Sequence, residues 1–119
     1  MTDAINRFKQ AGAKVIVSSQ TPNNIFRDKS AMPIFVGYAQ DVAIATEVSY
    51  VNHYNYTVVA YNALGANTVN GYYPQDNIHT NSVGADVVAQ AFVRGVLCDA
   101  ANPLVPSVKN TNVKPRKSL

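Results

Sequence analysis

One pair of side chains in this sequence has the types and the spacing for proton transfer. Asp76 and His79 stand three residues apart, as D-x-x-H, in a stretch rich in turn-forming residues. In a turn, a carboxylate at this spacing can accept a hydrogen bond from the imidazole Nδ1–H, which fixes the tautomer and leaves Nε2 as a general base. The alternative is a solvated turn in which Asp76 caps local backbone N–H groups, and spacing alone favours it.

The remaining candidates are weaker. Tyr72 and Tyr73 precede the pair, and a tyrosine ring offers a sugar a flat apolar face with a polar group. Packing of these rings beneath the loop is an equally good interpretation. His53 is a second possible base, although a packed or solvated histidine is favoured there. With two histidines and one cysteine in the chain, we expect neither a metal site nor a cofactor.

Composition limits the classes of function. The chain has 119 residues, 47% of them apolar and 14% charged, which predicts a folded core rather than disorder. Its formal charge is +3, but the surplus comes from four basic residues near the C-terminus, Lys109, Lys114, Arg116 and Lys117. Because the rest of the chain has no basic stripe, we expect no nucleic-acid binding. No apolar run approaches the ~18–20 residues of a membrane span.

Helical and strand patterns alternate around these candidates. The sequence predicts helices at 2–11, 34–48, 56–64 and 82–98, strands at 15–17 and 49–53, and a long loop at 69–81. In the second helix, the residues predicted to face the sheet are Phe35, Tyr38, Ala39, Val42, Ala43 and Ala45. This order is typical of an α/β fold with a parallel sheet. Two strands leave a sheet edge uncovered, so we expect further elements on the N-terminal side.

Longer motifs resemble a known family. D-x-x-H in a loop ahead of the last helix resembles the final sequence block of the SGNH (GDSL-like) hydrolases. Residues 11–24, 63–74 and 84–93 are similar to segments of fungal rhamnogalacturonan acetylesterases, and the similarity extends over residues 4–98.

The resemblance implies an esterase with a Ser-His-Asp triad on a three-layer α/β/α sandwich with a parallel, flavodoxin-like sheet. His79 would be its base and Asp76 the orienting carboxylate, and the substrate would be an acetylated pectic polysaccharide, rhamnogalacturonan. In this family the nucleophilic serine lies in a G-D-S motif, and this sequence contains neither G-D-S nor G-x-N-D. We therefore expect residues 1–100 to be the C-terminal half of such a domain, inactive alone, and residues 101–119 to be a basic, disordered tail.

Two other functions stay open. One is that of a truncated, catalytically inactive product of this fold. The other is that of a different SGNH ester hydrolase, a lipase or a thioesterase. The resemblance also implies a secreted protein, and Asn55-Tyr56-Thr57 is a glycosylation sequon. The sequence opens on Met1-Thr2-Asp3 without the leader typical of a signal peptide.

Overall fold

Short parallel strands and the helices that pack on them form the framework of the structure, a computed structural model that describes residues 1–110 and 112–113. The strands are β1 (Ile16–Ser18) and β2 (Ser49–Val51). The helices are α1 (Thr2–Gln10), α2 (Ile34–Thr46), α3 (His53–Leu64), α4 (Ala66–Asn70) and α5 (Ser82–Cys98), followed by a 3-10 turn at Val105–Ser107. None of the described helices is long and apolar enough to cross a membrane.

The two strands pair in parallel, with Val17 opposite Tyr50 and Ser18 opposite Val51. On one face Val17 packs with Ile5 of α1 and with α2, in a group of aliphatic residues that we call the sheet cluster: Ile5, Val17, Ala39 and Ala43. Val51 points to the opposite face, because successive residues of a strand alternate. There it meets Gly95 of α5, where a Cβ would lie 2.6 Å from Val51 Cγ1. The predicted α/β class with a parallel sheet is confirmed.

Helix α2 turns a different face to the sheet from the one that its periodicity predicts. Its buried residues are Val36, Ala39, Ala43 and Thr46. The prediction is wrong for Phe35, Tyr38 and Ala45: all three are exposed, and the two aromatic rings lie edge to face, 6.0 Å apart. Because Asp41 is the one charged residue of α2, the helix is apolar nearly all round, and the pattern cannot identify its buried side.

Asparagine side chains set the starts of the two helices that flank the loop. Helix α3 begins at His53, earlier than predicted, because Oδ1 of Asn52 accepts the Asn55 N–H at 3.1 Å. Helix α5 begins at Ser82, as predicted, where Oδ1 of Asn81 accepts the Gly84 N–H at 2.9 Å. The short helix α4, which the sequence does not predict, carries the chain from α3 into the loop.

A second group of buried residues, which we call the loop cluster, lies beneath the loop at 71–81. It contains Tyr61, Val69, Tyr72 and Tyr73. The hydroxyls of Tyr61 and Tyr73 are 2.9 Å apart. Burial and this hydrogen bond hold the pKa of Tyr61 above its ordinary value, so the phenol stays neutral and can serve as a donor.

The predicted basic tail is only partly within the described residues. Asn102 is buried and its Oδ1 accepts the Leu104 N–H at 3.0 Å, just before the 3-10 turn. Lys114, Arg116 and Lys117 lie outside the described residues. The domain boundary at residue 100 therefore stays a prediction.

Candidate active site

The two ends of the loop between α4 and α5 are hydrogen-bonded to each other. The Asn81 backbone N–H donates to the Tyr72 carbonyl at 2.8 Å, and the Asn81 side-chain amide donates to the Gly71 carbonyl at 3.1 Å. Close contact at Gly84 reinforces this closure, because a Cβ there would lie 2.7 Å from Tyr72 Cβ. The first turn of α5 therefore packs directly on the start of the loop.

Asp76 and His79 are joined by a hydrogen bond that their spacing allows. Oδ2 of Asp76 lies 2.6 Å from Nδ1 of His79. The other carboxylate oxygen, Oδ1, accepts the backbone N–H groups of Ile78 at 2.7 Å and of His79 at 2.6 Å. Capping of the turn and orientation of the imidazole, the two interpretations of this motif, thus occur together: one oxygen closes the turn and the other holds the ring.

These hydrogen bonds determine the protonation of the pair. The His79 backbone N–H, the His79 side chain and the Ile78 N–H lower the pKa of Asp76 to about 2. At neutral pH the carboxylate is therefore ionised and can only accept hydrogen bonds, so Nδ1 of His79 carries the proton. In the neutral imidazole, the lone pair is then on Nε2.

The imidazole is accessible. The His79 side chain is 80% exposed and that of Asp76 41%. Nε2 is therefore able to take a proton from a group that approaches from outside this part of the chain. An imidazole oriented by an ionised carboxylate, with its outer nitrogen accessible, has the arrangement that a general base requires.

The two tyrosines before the pair lie elsewhere. Tyr72 and Tyr73 are 8% and 2% exposed and belong to the loop cluster. Their rings pack against Tyr61, with ring centroids 6.4 Å and 6.3 Å away. This is the arrangement that the packing interpretation describes, and it leaves little ring surface for a sugar.

His53 and the serines after β1 have other partners. Nε2 of His53 lies 2.8 Å from the Val88 carbonyl oxygen, and its ring meets Phe92 edge to face. Burial lowers the pKa of His53, which keeps the imidazole neutral and donating through Nε2. The hydroxyls of Ser18 and Ser19 donate to the carbonyls of Ser19 and Gln20.

Two residues that the sequence does not single out reach the site from the loop after β1. The Asn24 backbone N–H donates to the Asn77 carbonyl at 2.8 Å, between Asp76 and His79. The Arg27 guanidinium donates to the Tyr73 carbonyl at 3.1 Å. Both residues lie in a polar, turn-rich run, where no periodicity or motif distinguishes them from their neighbours.

Among the described residues, no group of three or more His, Cys, Asp and Glu side chains has the arrangement of a metal site.

The chain is similar to a curated protein of Emericella nidulans named rhamnogalacturonan acetylesterase. The two are 49% identical over 94 residues, which cover 76% of this chain and 38% of the relative. The chain thus spans well under half the length of the relative that it matches. No family model matches the chain. The resemblance to rhamnogalacturonan acetylesterases that the sequence motifs indicate is confirmed.

Proposed function

We propose that Asp76 and His79 are the acid–base pair of an SGNH-type ester hydrolase that removes acetyl groups from rhamnogalacturonan, outside the cell. The observation that carries this proposal is the 2.6 Å contact between Asp76 Oδ2 and His79 Nδ1, with an accessible Nε2. The substrate class comes from the name of the 49% identical relative. Residues 1–100 then contribute the C-terminal half of a three-layer α/β/α domain, and the basic segment 101–119 follows it.

In the proposed reaction, Nε2 of His79 accepts the proton of a serine hydroxyl as the serine oxygen attacks the acetyl carbonyl. Asp76 stabilises the imidazolium that forms. The imidazolium then donates this proton to the sugar oxygen as the carbon–oxygen bond breaks, which leaves an acetyl-serine. A water molecule, deprotonated by the same Nε2, attacks the acetyl group, and acetate leaves as the serine recovers its proton.

The nucleophile in this proposal comes from outside these 119 residues. The sequence has no G-D-S motif, and the Ser18 and Ser19 hydroxyls are bonded to neighbouring carbonyl groups. Ser19 is also buried, and its oxygen accepts the Tyr54 N–H at 3.0 Å. We therefore expect the chain to supply the base and its orienting carboxylate, and a second segment to supply the serine and the oxyanion donors.

A chimera tests the proposal directly. The 94-residue segment of the Emericella nidulans enzyme that matches this chain is replaced with the corresponding residues of this chain. Acetate release from acetylated rhamnogalacturonan is then measured for the chimera and for two variants. We expect turnover in the chimera, a loss on the order of 10⁶-fold in kcat for His79→Ala, and a loss of about 10⁴-fold for Asp76→Asn.

The control is His53→Gln, which keeps a side-chain N–H for the Val88 carbonyl and should retain activity. Two results would overturn the proposal. One is a folded, active chimera in which His79→Ala keeps its turnover. The other is acetate release by the 119-residue chain alone that depends on His79, because the serine would then lie within this chain.

A further inference from the structure

We propose that Asn24 is a positioning residue for His79, which fixes the direction in which Nε2 is presented to the rest of the active site. This inference rests on the proposed function, because it assigns a role in the same reaction. Asn24 lies far from the Asp76–His79 pair in sequence, in the turn at 24–28 after β1. It contacts the pair through Asn77, whose carbonyl oxygen accepts the Asn24 backbone N–H at 2.8 Å.

The pair needs such a support because its own hydrogen bonds are all local. Asp76 bonds to Ile78 and His79, within three residues, so these contacts fix the imidazole relative to the carboxylate. They do not fix the turn relative to the fold. The Asn77 carbonyl lies in the middle of this turn, so its bond to Asn24 ties the pair to a different part of the chain.

The position of Asn24 is itself fixed by burial and hydrogen bonds. Its side chain is fully buried, and a buried amide is stable only when it is hydrogen-bonded. Nδ2 donates to Asn70 Oδ1 at 2.9 Å, and Oδ1 accepts the Phe26 N–H at 3.0 Å. The Asn24 carbonyl accepts the Asp28 N–H at 2.8 Å. Both side-chain polar atoms and both backbone groups of Asn24 are therefore in use.

Arg27 adds a second connection between the same two segments. Its guanidinium donates to the carbonyls of Tyr73 at 3.1 Å and Asn70 at 3.4 Å. The turn at 24–28 thus holds the end of α4 at Asn70 and the loop at Tyr73 and Asn77. These three attachment points define an orientation of the loop as well as its position.

Orientation matters for a base that must meet a nucleophile carried by another segment. A displacement of about 1 Å by a mutation remote from the chemistry can lower the rate on the order of 10²-fold. Because the His79 side chain is 80% exposed, no wall of surrounding side chains restricts its movement. The hydrogen bond from the Asn24 N–H to the Asn77 carbonyl therefore has to restrict the movement of His79.

The first test measures order in the 119-residue chain by ¹⁵N relaxation of the backbone amides at 76–79. We expect order parameters near 0.85 in the parent, as in a rigid backbone, and below about 0.6 in Asn70→Ala. Asn70→Asp is the matched control, because its carboxylate keeps an acceptor for Asn24 Nδ2. Order at His53, which bonds to Val88 on α5, should not change in either variant.

A second variant covers the case in which Asn70→Ala fails to fold. Arg27→Ala removes an exposed side chain, so the fold should survive, and order at 76–79 should fall by less than in Asn70→Ala. Lys29→Ala, an exposed cation two residues away, is its control. Unchanged order at 76–79 in every variant that folds would overturn the inference and reduce Asn24 to a structural role.

The chimera provides the kinetic readout. We expect Asn70→Ala to lower kcat on the order of 10²-fold, with KM within about twofold of the parent, and Asn70→Asp to restore kcat. A fall in melting temperature with unchanged kcat would contradict positioning. An inactive parent chimera whose residues 76–79 are nevertheless ordered, and lose that order in Asn70→Ala, would refute the proposed function and leave the structural role of Asn24 in place.

Discussion

The sheet cluster and the loop cluster hold different kinds of chain in place. In the sheet cluster, Ile5, Val17, Ala39 and Ala43 join a strand to two helices by aliphatic contact. The backbone groups of these elements bond within each helix or between the paired strands β1 and β2. In the loop cluster, the aromatic residues support a segment without regular structure, and directional bonds accompany the packing, such as the Tyr61–Tyr73 hydroxyl contact. The difference indicates that burial is enough to place a helix, whereas a loop without regular structure also needs hydrogen bonds of fixed geometry.

The strongest way to break this comparison is to remove the centre of the loop cluster. Tyr61 is fully buried, so Tyr61→Ala should lower the free energy of unfolding by about 3–5 kcal/mol, as for other large aromatic truncations. Tyr61→Phe, which keeps the ring and leaves the Tyr73 hydroxyl without its partner, should lower it by about 1–3 kcal/mol. Urea unfolding followed by circular dichroism measures both values. Equal losses in the two variants would mean that the hydroxyl pair, not the ring, supports the loop.

Two glycines sharpen the comparison, since one lies in each region. Gly84→Ala should lower the free energy of unfolding by about 1–3 kcal/mol, because its Cβ would lie 2.7 Å from Tyr72 Cβ. Gly37→Ala on α2 should instead raise it by about 0.5–1 kcal/mol, because nothing lies within 4 Å and alanine is the better helix former. Thermal unfolding of the two variants beside the parent tests both signs. A stabilising Gly84→Ala would show that the contact between α5 and the loop is looser than the structure indicates.

The pH dependence of the free energy of unfolding should show a smaller effect, which arises in the loop that carries Asp76. The pKa of Asp76 is lowered from 3.8 to about 2 in the folded chain, so its contribution to stability is complete above about pH 4 and disappears as the pH falls towards 2. In Asp76→Asn this part of the pH dependence should be missing. Urea unfolding of parent and variant between pH 5 and pH 2 should therefore give curves that converge at low pH. Curves that stay parallel would mean that the hydrogen bonds to Asp76 do not persist in solution.

The smallest expected effect is on the exposed side of α2. Phe35 is 65% exposed, so Phe35→Ala should change the free energy of unfolding of the chain by no more than about 0.5 kcal/mol. The measurement is the same urea titration, at low protein concentration so that association between copies does not contribute. A loss above 1 kcal/mol would show that this ring is covered in solution. An aromatic side chain would then contribute to stability in the sheet region as well as in the loop region.

Local patterns predicted the parts of this molecule that depend on neighbours in sequence. The start of α5 at Ser82 and the hydrogen bond between Asp76 and His79 both depend on partners three residues apart, which local patterns can identify. The buried side of α2 did not follow, because a helix apolar all round presents no stripe. Only the three-dimensional arrangement shows that Phe35 and Tyr38 point outwards.

The residues that support the site could not be predicted from sequence patterns, for a further reason. Asn23 and Asn24 are identical neighbours in a polar run, yet Asn23 is exposed and donates its side-chain amide to the Asp28 carboxylate, while Asn24 is fully buried. What separates them is a contact with Asn70, 46 residues away. One sequence, read without homologues, carries no signal for a pairing over that distance.

This separation also determines when the site can assemble. The Asp76–His79 turn spans three residues and forms within the time of local chain motion. The Asn24–Asn70 bond closes a segment of 46 residues, whose entropy must be overcome before the contact forms. During refolding, the carboxylate–imidazole pair should therefore form before its orientation relative to the rest of the fold is fixed. The fixed orientation of His79 should arise later than the pair itself, with the docking of the turn at 24–28.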